Sequence, residues 1–159
     1  MAGKIQIGVM GPGHPDPEAE ALAERVGKLI AEADAVLICG GLGGAMKAAA
    51  RGAKEAGGLV AGILPGTSPA DANPYVDIAI ATGMGNARNS INALSSGAVI
   101  AVRGAAGTLS EIALALKSGR PVVALQSWNL GAIGLDDPLF HTADTPEQAV
   151  ALALRLANK

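Results

Sequence analysis

Short apolar runs that stop at glycine or proline, most of them followed by a stretch of helical periodicity, recur along the chain and leave little choice of fold. Residues 5–10 run into Gly11-Pro12-Gly13, residues 35–39 into Gly40-Gly41-Leu42-Gly43-Gly44, and residues 59–64 into Pro65-Gly66. Residues 77–81, 98–102 and 122–125 continue the series. Runs this short and this uniformly apolar are the mark of strands buried on both faces.

The intervening stretches carry helix signals. Asp16 before Pro17 places a capping side chain ahead of a residue preset for the first turn, and Leu22, Val26, Leu29, Ile30 and Ala33 then recur at helical spacing. Further helices are expected over 45–56, 86–96 and 108–118. A last one runs from Thr145-Pro146-Glu147-Gln148, a capping-box spacing, to about Asn158. Strands alternating with helices imply parallel β-α-β units. The predicted fold is α/β, a single Rossmann-like domain over 1–159 with a mostly parallel sheet and helices on both faces.

Composition narrows the function. The chain has 159 residues, enough for one core, and half of them are apolar while only 2% are aromatic. The net charge of -2 and the scattered lysines and arginines argue against nucleic acid as a partner. Cys39 is the single cysteine, so no disulfide within the chain is possible. With no signal-peptide pattern and no apolar stretch of about 18 residues, the expected setting is the cytoplasm, away from membranes.

In an open parallel sheet, ligands collect beyond the carboxyl ends of the strands. Two glycine loops lie there and each leads into a helix, whose first amides favour an anion. The 40–44 loop lacks the Lys-Ser/Thr ending of a P-loop and the spacing of a dinucleotide fingerprint. Gly104 and Gly107 form the second loop. Thr108 and Glu111 stand at capping-box spacing, so in isolation Glu111 reads as completing a helix start. Arg88, after Gly83-Met84-Gly85, is placed to clamp a phosphate, with a solvated helix charge as the plainer reading. His14 and His141 lack metal-ligand spacing, and no metal site is assigned.

Four segments taken in order carry a resemblance. Gly40-Gly41-Leu42-Gly43-Gly44-Ala45-Met46, Gly57 to Pro65, Asn86-Ala87-Arg88-Asn89 and Gly107-Thr108-Leu109-Ser110-Glu111 resemble the lonely-guy and putative lysine decarboxylase superfamily, and within it the subgroup of molybdenum cofactor carrier proteins. The resemblance implies a Rossmann-like fold and a homo-oligomer, dimer or tetramer. It also implies a small phosphorylated ligand, either molybdenum cofactor or a nucleoside monophosphate. The expected binding residues are Gly11, Gly40, Gly41, Gly43, Gly44, Met46, Arg88, Arg103, Gly104, Gly107 and Thr108.

Were the chain an enzyme, it would be a nucleoside 5′-monophosphate phosphoribohydrolase of the cytokinin-activating type, with Arg88 and Glu111 catalytic. That hydrolase pattern is incomplete here. Asn89 stands where the pattern has lysine, and the loop reads Arg103-Gly104-Ala105-Ala106-Gly107-Thr108 in place of Pro-Gly-Gly-x-Gly-Thr. A binding or carrier role is therefore the leading expectation. Arg103 is expected to add charge to the ligand site if it turns into the cleft.

Overall fold

A computed structural model describes residues 3–158. Seven strands form one sheet in the order β4-β3-β2-β1-β5-β6-β7, and every neighbouring pair is parallel. They are β1 (Gln6–Met10), β2 (Val36–Cys39), β3 (Leu59–Leu64), β4 (Ile78–Ala81), β5 (Ala98–Val102), β6 (Val122–Leu125) and β7 (Phe140–Ala143). The helices are α1 (Pro17–Glu32), α2 (Gly44–Glu55), α3 (Asn89–Leu94), α4 (Ala106–Lys117) and α5 (Pro146–Ala157).

The apolar runs became strands because both sheet faces take them in. Leu37, Cys39, Val60, Ile100 and Val123 share a buried cluster with Val26 and Ile30 of α1, Ala49 of α2 and Val150 of α5. Met10, Val99 and Ala101 pack instead with Ile112 and Ala115 of α4. Helices thus lie on both faces, as a parallel sheet requires. Asp16 caps α1 as its position predicts, accepting from the Ala19 amide at 3.1 Å. Thr145 caps α5 in the same way.

Three elements depart from the sequence expectations. β7 has no apolar run, since Phe140-His141-Thr142-Ala143 is a half-exposed edge strand whose only sheet partner is β6. The helix expected over 86–96 is a 3-10 turn, Gly85–Arg88, followed by the short α3. Helix α4 begins two residues earlier than predicted, with Ala105 as its cap.

The strand order decides where a ligand site belongs. From β1 the chain winds outward through β2, β3 and β4, then returns to β5 on the other side of β1 and winds outward again. The loops after β1 and β5 therefore diverge and leave a crevice between them at the carboxyl edge, the switch point of an α/β sheet.

Candidate functional site

A cleft occupies that crevice, divided into two compartments that share Pro12, His14 and Ala105. The inner one, about 260 Å³, lies between Gly11 and Gly13 of the β1 loop, Met46 of α2, the Asn86-to-Asn89 segment, and Gly107, Thr108 and Glu111 of α4. The outer one, about 430 Å³, extends past Asp16 and Arg103 to the loop that follows β6.

Arg88 is the central side chain of the inner compartment. The 3-10 turn carries it inward, so that it is only 8% exposed. Its Nη1 donates to Asn89 Oδ1 at 2.8 Å and lies 3.7 Å from Glu111 Oε1, while its Nε finds no partner among the described residues. A buried guanidinium N–H without an acceptor is costly unless something arrives to receive it. Asn89 thus does something specific where the hydrolase pattern has lysine, holding one arm of Arg88 without adding charge.

Burial pushes the Glu111 carboxyl up to about 7, against the pull of Arg88 and of the neighbouring Asn92. The amide of Asn92 is itself fully buried, with neither Nδ2 nor Oδ1 in hydrogen-bond geometry to any described group. Because α4 starts at Ala106, Thr108 and Glu111 form no capping box; both are buried side chains within the helix. Ala105 supplies no side-chain cap, and the amides of Ala106, Gly107 and Thr108 have no partner among the described residues. The open amides of Gly107 and Thr108 at a helix start and the guanidinium of Arg88 thus border one space, which is the chemistry of an anion site.

The 40–44 loop lies behind the cleft, against Arg88 and Met46. Gly40, Gly41, Gly43 and Gly44 border neither compartment. A Cβ at Gly40 would stand 2.7 Å from both terminal nitrogens of Arg88 and 2.5 Å from Met46 Sδ, so this glycine makes room for the arginine. The start of α2 is closed by Pro12, whose carbonyl accepts from Ala45 N at 2.9 Å. Gly11 lies close to Ala45 and borders the cleft. Gly104 sits over Thr108 with φ 107, a conformation and a proximity that suit only glycine. Cys39 is buried, and its thiol is pushed up to about 11 by that burial, which makes it inert packing.

Arg103 borders only the outer compartment, and its charge is already answered there. Its Nη1 lies 2.9 Å from Glu18 and its Nε 3.5 Å from Asp16. Arg103 thus reaches the cleft with its guanidinium paired to two carboxylates. Sequence reasoning missed the loop after β6, including Gln126 and Trp128. One signal lay in plain view: a lone tryptophan just beyond a strand that neighbours β5. Among the described residues, no group of three His, Cys, Asp or Glu is placed to hold a metal ion, and no helix is long and apolar enough to cross a membrane.

Comparison with known proteins decides the family. A family model described as SLOG cluster4 matches residues 4–155. The chain belongs to the SLOG cluster4 family. An uncharacterized protein of Archaeoglobus fulgidus is 55% identical to this SLOG cluster4 protein over 146 residues, covering 92% of each chain. The molybdenum cofactor binding protein of the phototrophic bacterium Rippkaea orientalis superposes with a TM-score of 0.91 at 42% identity, covering 98% of this chain and 99% of its own. The molybdenum cofactor carrier protein of Chlamydomonas reinhardtii follows with a TM-score of 0.88 at 41% identity and the same coverage. The resemblance read from the four sequence segments thus stands at the level of family and fold.

Proposed function

We propose that this SLOG cluster4 protein binds and carries molybdenum cofactor, a phosphorylated pterin, with the phosphate in the inner compartment. The observation that carries the reading is the pairing of the Arg88 guanidinium with the open amides of Gly107 and Thr108 at the inner compartment. A phosphate offers acceptors to both sets at once, without displacing any bond the protein already makes. The likeness to the binding protein of Rippkaea orientalis and the carrier of Chlamydomonas reinhardtii supports this choice of cargo.

The site fits such a group in size as well as charge. The inner compartment alone is small for a phosphorylated ring system, but it adjoins the outer one along Pro12, His14 and Ala105, and together they fall within the usual range of about 300–1,000 Å³ for small-molecule sites. The same reading takes the protein to be cytoplasmic and self-associating.

Hydrolysis of a nucleoside monophosphate is the second reading, since Arg88 and Glu111 stand side by side in the compartment. It requires Glu111 ionised beside a substrate phosphate, which its burial opposes.

Calorimetric titration of the protein with molybdenum cofactor tests the proposal. Saturable binding is expected, weakened roughly 10- to 100-fold in Arg88→Ala, the loss that one charge-assisted hydrogen bond of about 1.5–3 kcal/mol represents. No binding, or binding indifferent to Arg88, refutes it. Release of free base from AMP, lost in Glu111→Gln, would establish hydrolysis instead.

A further inference from the structure

The outer compartment is built at a cost that the inner one does not explain. Arg103 and Gln126 have φ of 45° and 50°, left-handed values in residues with side chains. Each is the first residue after its strand, and the strands place them side by side, with Val102 opposite Leu125. Such backbone persists only where its surroundings enforce it, and it gathers at ligand sites. Here the enforcement is visible. Arg103 N donates to Leu125 O at 3.1 Å, Ser127 Oγ donates to Arg103 O, and Trp128 Nε1 donates to Ala105 O at 3.2 Å.

These bonds lace the loop after β6 to the loop that ends at α4. They also fix what the compartment presents. Trp128, the chain's single tryptophan, is 39% exposed with its indole N–H already engaged, so the ring itself is what remains for a ligand. The side-chain amides of Gln126 and Asn129 form no hydrogen bond to described residues. The charges at the rim set one cation, Arg103, against two carboxylates, Asp16 and Glu18. An aromatic surface, free neutral amides and a carboxylate in excess at the rim suit a flat ring with polar edges, and they suit an anion poorly.

We propose that the outer compartment receives the planar nitrogen heterocycle of a ligand whose phosphate lies in the inner one, stacked on Trp128 and read at its edge by Gln126 and Asn129. The inference rests on the proposed function for the phosphate end and assigns the other end. Pterin and purine share this chemistry.

The test uses the emission of the single tryptophan in the intact chain, with neopterin monophosphate, AMP, unphosphorylated neopterin and inorganic phosphate as probes. Neopterin monophosphate or AMP is expected to quench saturably, and whichever binds more tightly identifies the ring. Inorganic phosphate is expected to leave the emission unchanged while competing with either. By calorimetry, Trp128→Leu is expected to weaken the ring phosphate about tenfold or more and to leave inorganic phosphate unaffected, with Gln126→Ala shifting the same way. Equal affinity of the ring phosphates for the parent and both variants overturns the inference, as does a loss of phosphate affinity as large as that of the ring phosphate. Quenching that phosphate does not compete for overturns the inner phosphate site instead, and so separates the two failures.

Discussion

Glu111 carries the largest electrostatic tension in the site, an acid buried within reach of the cation meant for the ligand. Its carboxyl is shifted from the ordinary 4.5 to about 7, so the folded chain holds the proton more tightly than the unfolded one. The native state therefore binds more protons between these values, and stability falls as pH rises from about 4.5 to 7 and then levels. The size is on the order of 3 kcal/mol, at roughly 1.4 kcal/mol for each tenfold gain in proton affinity. Glu111→Gln removes that slope, so denaturant unfolding at pH 5 and pH 8 is expected to show a smaller loss across the window in the variant than in the parent. The same substitution changes the pocket. At pH 8 the parent's ionised Glu111 offsets Arg88, and the variant is expected to bind inorganic phosphate more tightly, while at pH 5 the two converge. Equal affinities at pH 8 would mean that the carboxylate and the ligand do not compete for the arginine.

At the scale of elements, the hardest contact to foresee is the one between α1 and α2. Gly27 of α1 packs directly on the Ala49 carbonyl of α2, and Gly52 of α2 packs on the Glu24 carbonyl of α1, so the two backbones touch at a reciprocal pair of glycines. Alanine at Gly52 gains about 1 kcal/mol of helix propensity but drives a methyl into backbone that cannot swing aside, where overpacking costs about 1–3 kcal/mol or more. Sterics should win. Gly52→Ala is expected to lower stability by about 2 kcal/mol in denaturant unfolding. Gly107→Ala, where a Cβ meets nothing within 4 Å, is expected to be neutral or slightly stabilising. Neither helix contact was legible in the sequence, since periodicity reports which face is apolar and says nothing of how near the partner comes. The strands and the caps at Asp16 and Thr145 were legible because their causes are local. The half-exposed β7 left no such signal, and the Thr108 to Glu111 spacing misled because Ala105, not Thr108, begins α4. In the site, Arg88 and Glu111 were found through a motif. Asn92, Gln126 and Trp128 entered only when the topology brought their segments to the crevice.

The molecule as a whole leaves part of its sheet uncovered, and that bears on the company it keeps. On the face that holds α3 and α4, the register aligns Val36 with Leu59, Ala61 with Ile78 and Ile63 with Ile80. Ile91 of α3 is the partly buried hydrophobic packed against the Val36, Ile38, Ala61 and Ile63 cluster, while Leu59, Ile78 and Ile80 are 40%, 48% and 45% exposed. A parallel sheet ordinarily has both faces covered, and these side chains add no charge to the patch. A second copy brought up by a two-fold axis would set one such patch against another, the self-complementary arrangement that closes without leaving a free surface. The chain is therefore expected to sediment as a dimer or larger at micromolar concentration. Ile80→Glu, at a position that already meets solvent in the single chain, is expected to yield monomers whose unfolding midpoint at high dilution matches the parent's. Because the uncovered face adjoins the turn that carries Arg88, the monomeric variant also measures whether pairing steadies the phosphate site. A parent that runs as a monomer would remove this face as the contact and leave its apolar side chains unexplained.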